Sequence, residues 1–282
     1  MKLLLNKSRI SKRPLLLVVF CACLLIIVLY TNSISISPYI FNISHNYTSK
    51  YPYIALIVDD RATQLLVNAV INVLQHIPID WKVQIITPHQ NWLFYKKSSL
   101  SSLIQTNRVF LTPLEQTRNG LSSGDFINPI LTSASFWHQV QGDKVLFFQT
   151  DSVLCSNSLY NLTDFLQYDF IGAPWSWGGC CNGGLSIRNR QKILQMLESS
   201  CIHYRLHILN EDQWFTKYLP YFNGYVAPIS VAKRFSVETM YHSRPFGVHN
   251  PHINTIGRTN MTHLCNECPE VSTITPDCQT LK

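Results

Sequence analysis

Four short stretches of this sequence carry side chains that could do chemistry. Gln149-Thr150-Asp151-Ser152 follows directly on the apolar run Val145-Leu146-Phe147-Phe148. A carboxylate at the polar end of a buried strand can hold a divalent cation against a phosphate; a plain strand-end turn is the other use of Asp and Ser there. Asp59-Asp60-Arg61 closes the apolar run Tyr53 to Val58 in the same way. Glu211-Asp212 follows Asn210, a plausible helix N-cap, so the two acids either complement the helix dipole or offer a general base to a hydroxyl. His249 ends Pro245-Phe246-Gly247-Val248-His249 and is either a loop imidazole or a metal ligand facing Asp151 across a cleft. Asn182-Gly183-Gly184 is a tight turn, or a wall that presents backbone amides and the Asn side chain to a sugar. Trp175, Trp177 and Trp214 are flat faces for sugar packing or ordinary core.

The surrounding pattern says what must position these groups. Residues 53–58, 83–87, 108–111 and 145–148 read as short buried strands. Thr63 to His76 carries Leu65, Leu66, Ala69, Val70, Val73 and Leu74 at helical spacing. Helical spacing returns around 128–140, at 191–199 and after Asn210. Strand and helix alternate through this half, which predicts an α/β, Rossmann-like fold with a mostly parallel sheet. Ligands of such sheets gather at the C-terminal strand ends, so Asp59-Asp60-Arg61 and Gln149-Thr150-Asp151 are expected on one rim. Phe235 to Glu238 is a further short strand candidate in an irregular second half.

The 282 residues contain 46% hydrophobic and 14% charged side chains, which excludes a disordered chain. The net charge of +7 is concentrated: five of the 23 basic residues (Lys2, Lys7, Arg9, Lys12 and Arg13) lie before Pro14. The remainder has an excess of only two, which removes the main argument for a nucleic-acid partner. Residues 14–30 are uncharged and span roughly 25 Å as a helix, slightly short of a ~30 Å hydrocarbon core. The flanking charge is all N-terminal, so residues 1–13 are expected in the cytosol, 14–30 as a signal anchor in the lipid bilayer, and the rest in the lumen. Residues 31–50 read as a stem, 51–255 as the folded domain and 256–282 as a cysteine-containing C-terminal tail. N-x-S/T sequons at Asn42, Asn46, Asn161 and Asn260 and seven cysteines beyond the anchor agree with an oxidising lumen. For Cys265-x-x-Cys268, a tail disulfide involving Cys278 is expected in preference to zinc.

Taken in order across 53–252, the strand-QTDS, IGAPW, GGCCNGGLSIRN, NEDQWF, FSVE and PFGVH segments resemble the A-type fold of nucleotide-sugar glycosyltransferases. More closely, they resemble a eukaryotic domain family of glycosyltransferase-like proteins. The resemblance implies a type II membrane glycosyltransferase of the ER or Golgi, acting by inversion on a nucleotide sugar and a glycan or glycoprotein acceptor. It implies donor contacts from Asp59, Asp60, Arg61, Gln149, Asp151, Asn182, Gly183 and Gly184. The D-x-D slot of the family reads Gln149-Thr150-Asp151, so its last acid matches and its first is Gln. Mn2+ or Mg2+ would then be held by Asp151 and His249. Asp212, with Glu211 beside it, matches the acid pair that supplies the base. A catalytically inactive relative that binds sugar or a partner enzyme is the alternative.

Overall fold

Uninterrupted apolar runs of four or five residues can be solvated on neither face, and here they form the middle of a sheet. The computed structural model describes residues 48–199 and 209–281. The expected cytosolic tail, the anchor at 14–30, most of the stem and Cys201 lie outside these residues. No helix among the described residues is long and apolar enough to cross a membrane.

The chain enters through β1 (Tyr51–Val58), α1 (Gln64–His76) and β2 (Lys82–Thr87). Two short helices, α2 (Trp92–Lys97) and α3 (Ser101–Gln105), lead to β3 (Val109–Pro113). Helices α4 (Ser123–Leu131) and α5 (Ala134–Gln139) then lead to β4 (Gly142–Phe148). The single helical stretch expected around 128–140 is thus two helices. β1 pairs in parallel with β2 on one side and β4 on the other, and β2 pairs in parallel with β3. The chain winds outward from β1 to β3 and then crosses back to β4, so the gap beyond the ends of β1 and β4 is a topological switch point, where open α/β sheets leave a crevice. Ile54, Ala55, Leu56 and Ile57 have no exposed surface. On α1 the buried stripe is Leu66, Val67, Ala69, Val70 and Val73, whereas Leu65, read as part of the apolar face, is 54% exposed.

The irregular half completes the rim. After β5 (Ser152–Leu154) and β6 (Phe170–Ile171), β7 (Leu185–Asn189) runs antiparallel beside β4 and gives the sheet order β3-β2-β1-β4-β7-β6. Next come α6 (Arg190–Leu197), α7 (Glu211–Tyr218) and α8 (Ile229–Phe235). β8 (Ser236–Val237) and β9 (Gly247–His249) join β5 in a second sheet of order β5-β9-β8. The Asn72 side chain of α1 fixes that small sheet, donating to the Leu154 carbonyl at 3.0 Å and accepting from its N–H at 2.8 Å.

The C-terminal tail is built into the domain. Met261 and Leu264 of α9 (Arg258–Glu267), with Ile256, Cys268 and Val271, pack on Val153, Val237 and Val248. Disulfides Cys155–Cys268 and Cys265–Cys278 fasten it, the second being the expected tail pair, and Cys180–Cys181 is a disulfide between adjacent residues.

Candidate active site

Pairing register brings the site together. In β4 and β7, Phe148 lies opposite Leu185, so Gln149 and the Asn182-Gly183-Gly184 turn leave the sheet side by side. In the small sheet Ser152 lies opposite His249, which carries Asp151 to the histidine. The Nε2 of His249 is 3.5 Å from Asp151 Oδ1 and 3.2 Å from Gln149 Oε1, and its Nδ1 is 3.5 Å from Glu238 Oε1. Glu238 was absent from the sequence-derived site; an acid directly after a short strand was its only signal. It also accepts from Asn182 Nδ2 at 3.1 Å, while Asn182 Oδ1 accepts from the Gly184 N–H at 2.8 Å.

The electrostatics follow from burial and these partners. Burial alone would push the His249 pKa down, but the carboxylates of Asp151 and Glu238 outweigh it and push it up to about 9. Burial also acts on Asp151, yet its hydrogen bond to His249, that ring's charge and Arg61 hold its carboxyl below the ordinary value. Glu238 Oε2 and His249 Nδ1 are buried without a hydrogen-bond partner. Among the described residues no three His, Cys, Asp or Glu side chains gather as a metal site. The Gln149 amide oxygen supplies a third donor beside Asp151 and His249. A carboxylate, a carbonyl oxygen and an imidazole suit Mg2+ or Mn2+ when a diphosphate provides further oxygens, so the donor set fits such an ion. A cation taking this place must displace the proton on His249.

At the end of β1 the two carboxylates are already engaged. Asp59, 3% exposed, accepts from the Arg61 N–H at 2.9 Å and from its Nη2 at 2.6 Å. Asp60 accepts from the Arg118 N–H at 2.6 Å. These bonds shape the loop, at whose edge Arg61 is 49% exposed and held charged by Asp59.

The acid pair divides by environment. Asn210 and Gln213 form a reciprocal capping box at the start of α7, as the plausible N-cap suggested. Glu211 is buried and bound by both terminal nitrogens of Arg188, at 2.9 and 3.0 Å. Arg188 has no exposed surface; its remaining donors reach Ser186 Oγ and the Gly183 carbonyl, and its plane lies 4.8 and 5.0 Å from the rings of Phe147 and Phe170. Glu211 is therefore committed to Arg188, unlike the neighbouring Asp212. Its Oδ2 accepts from the Gly183 N–H at 3.0 Å. Burial and the neighbouring charge of Glu211 push its pKa up to about 7, against the pull of that hydrogen bond. Arg188 also escaped the sequence-derived site, because its alternation with Leu185 and Ile187 reads as the solvent-facing side of a strand.

The turn is the hinge between the two halves. A Cβ on Gly183 would lie 2.6 Å from both Arg188 Nη2 and Glu211 Oε1, and one on Gly184 would overlap the His249 ring. Glycine is required at both positions because two polar walls close directly on the backbone. Of the three candidate tryptophans, Trp214 is core at 3% exposure, and Trp175 lies beneath Trp177, which is 69% exposed.

Residues 113–249 match a protein family described as "Protein of unknown function (DUF5672)". No curated protein matches the chain in sequence. Solved structures similar to it include three glycosyltransferases. The apo form of GlyE from Streptococcus pneumoniae TIGR4 is 13% identical, with a TM-score of 0.45 over 79% of this chain and 61% of GlyE. S. aureus TarS 1-349 in complex with UDP is 12% identical, with a TM-score of 0.42 over 76% of this chain and 64% of that one. The mannosyltransferase PcManGT from Pyrobaculum calidifontis, in complex with GDP-Man and Mn2+, is 10% identical, with a TM-score of 0.48 over 94% of this chain and 83% of that one. The chain thus spans somewhat under two thirds of GlyE and of TarS 1-349, and 40% of the longer TarS chain.

Proposed function

We propose that this protein is an inverting glycosyltransferase that moves a sugar from a nucleotide-sugar donor to a glycan or glycoprotein acceptor. The observation that carries the reading is the Asn182-Gly183-Gly184 turn, which touches a diphosphate-suited group (Gln149, Asp151, His249) on one side and the half-buried base Asp212 on the other. Asp151, Gln149 and His249 would hold a divalent ion, which when bound neutralises charge on the departing diphosphate. Arg61 adds a fixed positive charge at the same rim. The acceptor hydroxyl oxygen attacks the anomeric carbon, the bond from that carbon to the diphosphate oxygen breaks, and the hydroxyl proton passes to Asp212. A carboxylate of pKa about 7 is ionised often enough to take that proton near neutrality and is a stronger base than an ordinary one. The anchor at 14–30, the type II topology and an ER or Golgi location complete the proposal, on the charge asymmetry of the N-terminus.

A donor screen tests it: thermal unfolding with UDP- and GDP-sugars, with and without Mn2+, followed by hydrolysis of any donor that stabilises the fold. Binding followed by turnover that Asp212→Asn abolishes supports the reading. Binding without turnover under any acceptor favours the inactive sugar-binding relative, for which Gln149 in the D-x-D slot is the specific observation. No shift with any donor refutes the reading.

A further inference from the structure

A large aromatic ring that is both exposed and held in place needs a reason, because exposure wastes its apolar surface and ordering it costs entropy. Trp177 is such a ring. It is 69% exposed, yet it stacks on Trp175 with ring centroids 5.9 Å apart and planes 11° apart. Trp175, only 8% exposed, provides a fixed floor. The loop that carries both is closed on itself and tied to its neighbours. The Trp175 N–H donates to the Gly179 carbonyl at 3.2 Å, and the Gly178 N–H to the Trp175 carbonyl at 3.0 Å. The Ser176 N–H donates to Thr239 Oγ1 at 3.0 Å, and that hydroxyl donates to the Pro174 carbonyl at 3.2 Å.

Both ties lead into the candidate site. Thr239 directly follows Glu238, which contacts His249 and Asn182. At the other end the Asn182 N–H donates to the Ala173 carbonyl at 2.7 Å. The exposed indole is therefore fixed to the wall of the sugar-transfer site by its own backbone.

We propose that Trp177, floored by Trp175, is the binding platform for a pyranose ring of the acceptor. An indole face packs on the C–H face of a pyranose, while polar groups nearby serve the ring's hydroxyls. The donor's diphosphate needs charge, which Arg61 and the Asp151 group supply and an indole does not. What remains for the indole is an uncharged sugar. This rests on the transferase reading, so its test separates the two.

The full-length chain is titrated with methyl β-galactopyranoside, methyl β-glucopyranoside, methyl α-mannopyranoside and methyl β-N-acetylglucosaminide. The indole N–H resonance of Trp177 is followed, assigned by its loss in Trp177→Phe. Stabilisation by UDP and GDP with Mn2+ is measured in parallel. At least one glycoside should shift the Trp177 resonance. By intrinsic fluorescence from the remaining tryptophans, its affinity should fall about ten-fold or more in Trp177→Ala and much less in Trp177→Phe, while nucleotide stabilisation stays unchanged. Glycoside affinity equal in Trp177→Ala and the parent, or no glycoside reaching Trp177 while nucleotide stabilises the fold, overturns the platform and leaves the transferase reading standing. Glycoside binding at Trp177 without any nucleotide effect keeps the platform and overturns the transferase reading.

Discussion

Asp212→Asn should make the protein more stable at alkaline pH and about 1 kcal/mol less stable at acid pH. The folded protein holds the Asp212 pKa at about 7, against an ordinary value of 3.8. Between those two values the folded state keeps a proton that the unfolded state has lost, so stability falls as pH rises through that window and is flat above it. The difference of about three units, at about 1.4 kcal/mol each, sets a ceiling of about 4 kcal/mol of destabilisation by the ionised carboxylate. Part of the side chain still meets water, which reduces this to about 2 to 3 kcal/mol. Asparagine removes the charge but has one acceptor oxygen for the two backbone N–H groups of Gly183 and Gln213, a loss of about 1 kcal/mol. The net gain of about 1 to 2 kcal/mol corresponds to about 3 to 6 °C in melting temperature for a domain of this size. Thermal unfolding of both proteins from about pH 4.5 to about pH 8.5 reads it directly, with the difference opening between about pH 4 and 7 and then levelling. Because both chains share every other titrating group, their difference isolates Asp212. A variant that is equally or more destabilised at high pH would show a comfortable ionised cap in place of a strained base, and the argument for Asp212 as proton acceptor would fall. With a donor and acceptor in hand, the same substitution should lower turnover by on the order of 10²- to 10⁴-fold while donor binding persists.

Arg188→Met leaves the buried Glu211 without its ion-pair partner and should cost about 3 to 5 kcal/mol in denaturant unfolding, whereas Arg188→Met with Glu211→Leu should recover most of it. Gly184→Ala should abolish stabilisation by nucleotide and cost about 1 to 3 kcal/mol, because the added methyl overlaps His249; full nucleotide binding by that variant would place the ligand elsewhere. Mn2+ binding should release a proton below about pH 9, since His249 must become neutral to act as a ligand, and affinity should rise with pH towards that value. Calorimetry in buffers of different ionisation enthalpy measures this, and a pH-independent affinity would exclude His249 as a ligand.

Much of the sheet was legible from residue order because its signal is local. Tyr53 to Val58 and Val145 to Phe148 are apolar without interruption, and such segments are stable only with both faces covered. Their polar ends, Asp59-Asp60-Arg61 and Gln149-Thr150-Asp151, then fall on one rim by topology alone. The capping box at Asn210 is equally local, a reciprocal pair three residues apart. What the residue order left open was which polar group meets which. The closeness of Asp151 and His249 depends on the register Ser152 opposite His249, and a one-residue slip would turn the side chains to the other face. Glu238 meets His249 because β8 runs beside β9, and Glu211 is paired because Arg188 reaches it across the turn. The partners of Asp59 and Asp60, the Arg61 side chain and the Arg118 N–H, were open for the same reason. Hydrophobic periodicity is written along the chain, whereas the state of a buried charge is set by the partner and the water it meets in space. The sequence by itself therefore determined the strands and the rim that would carry the acids, and only the tertiary structure decided which acid an arginine neutralises.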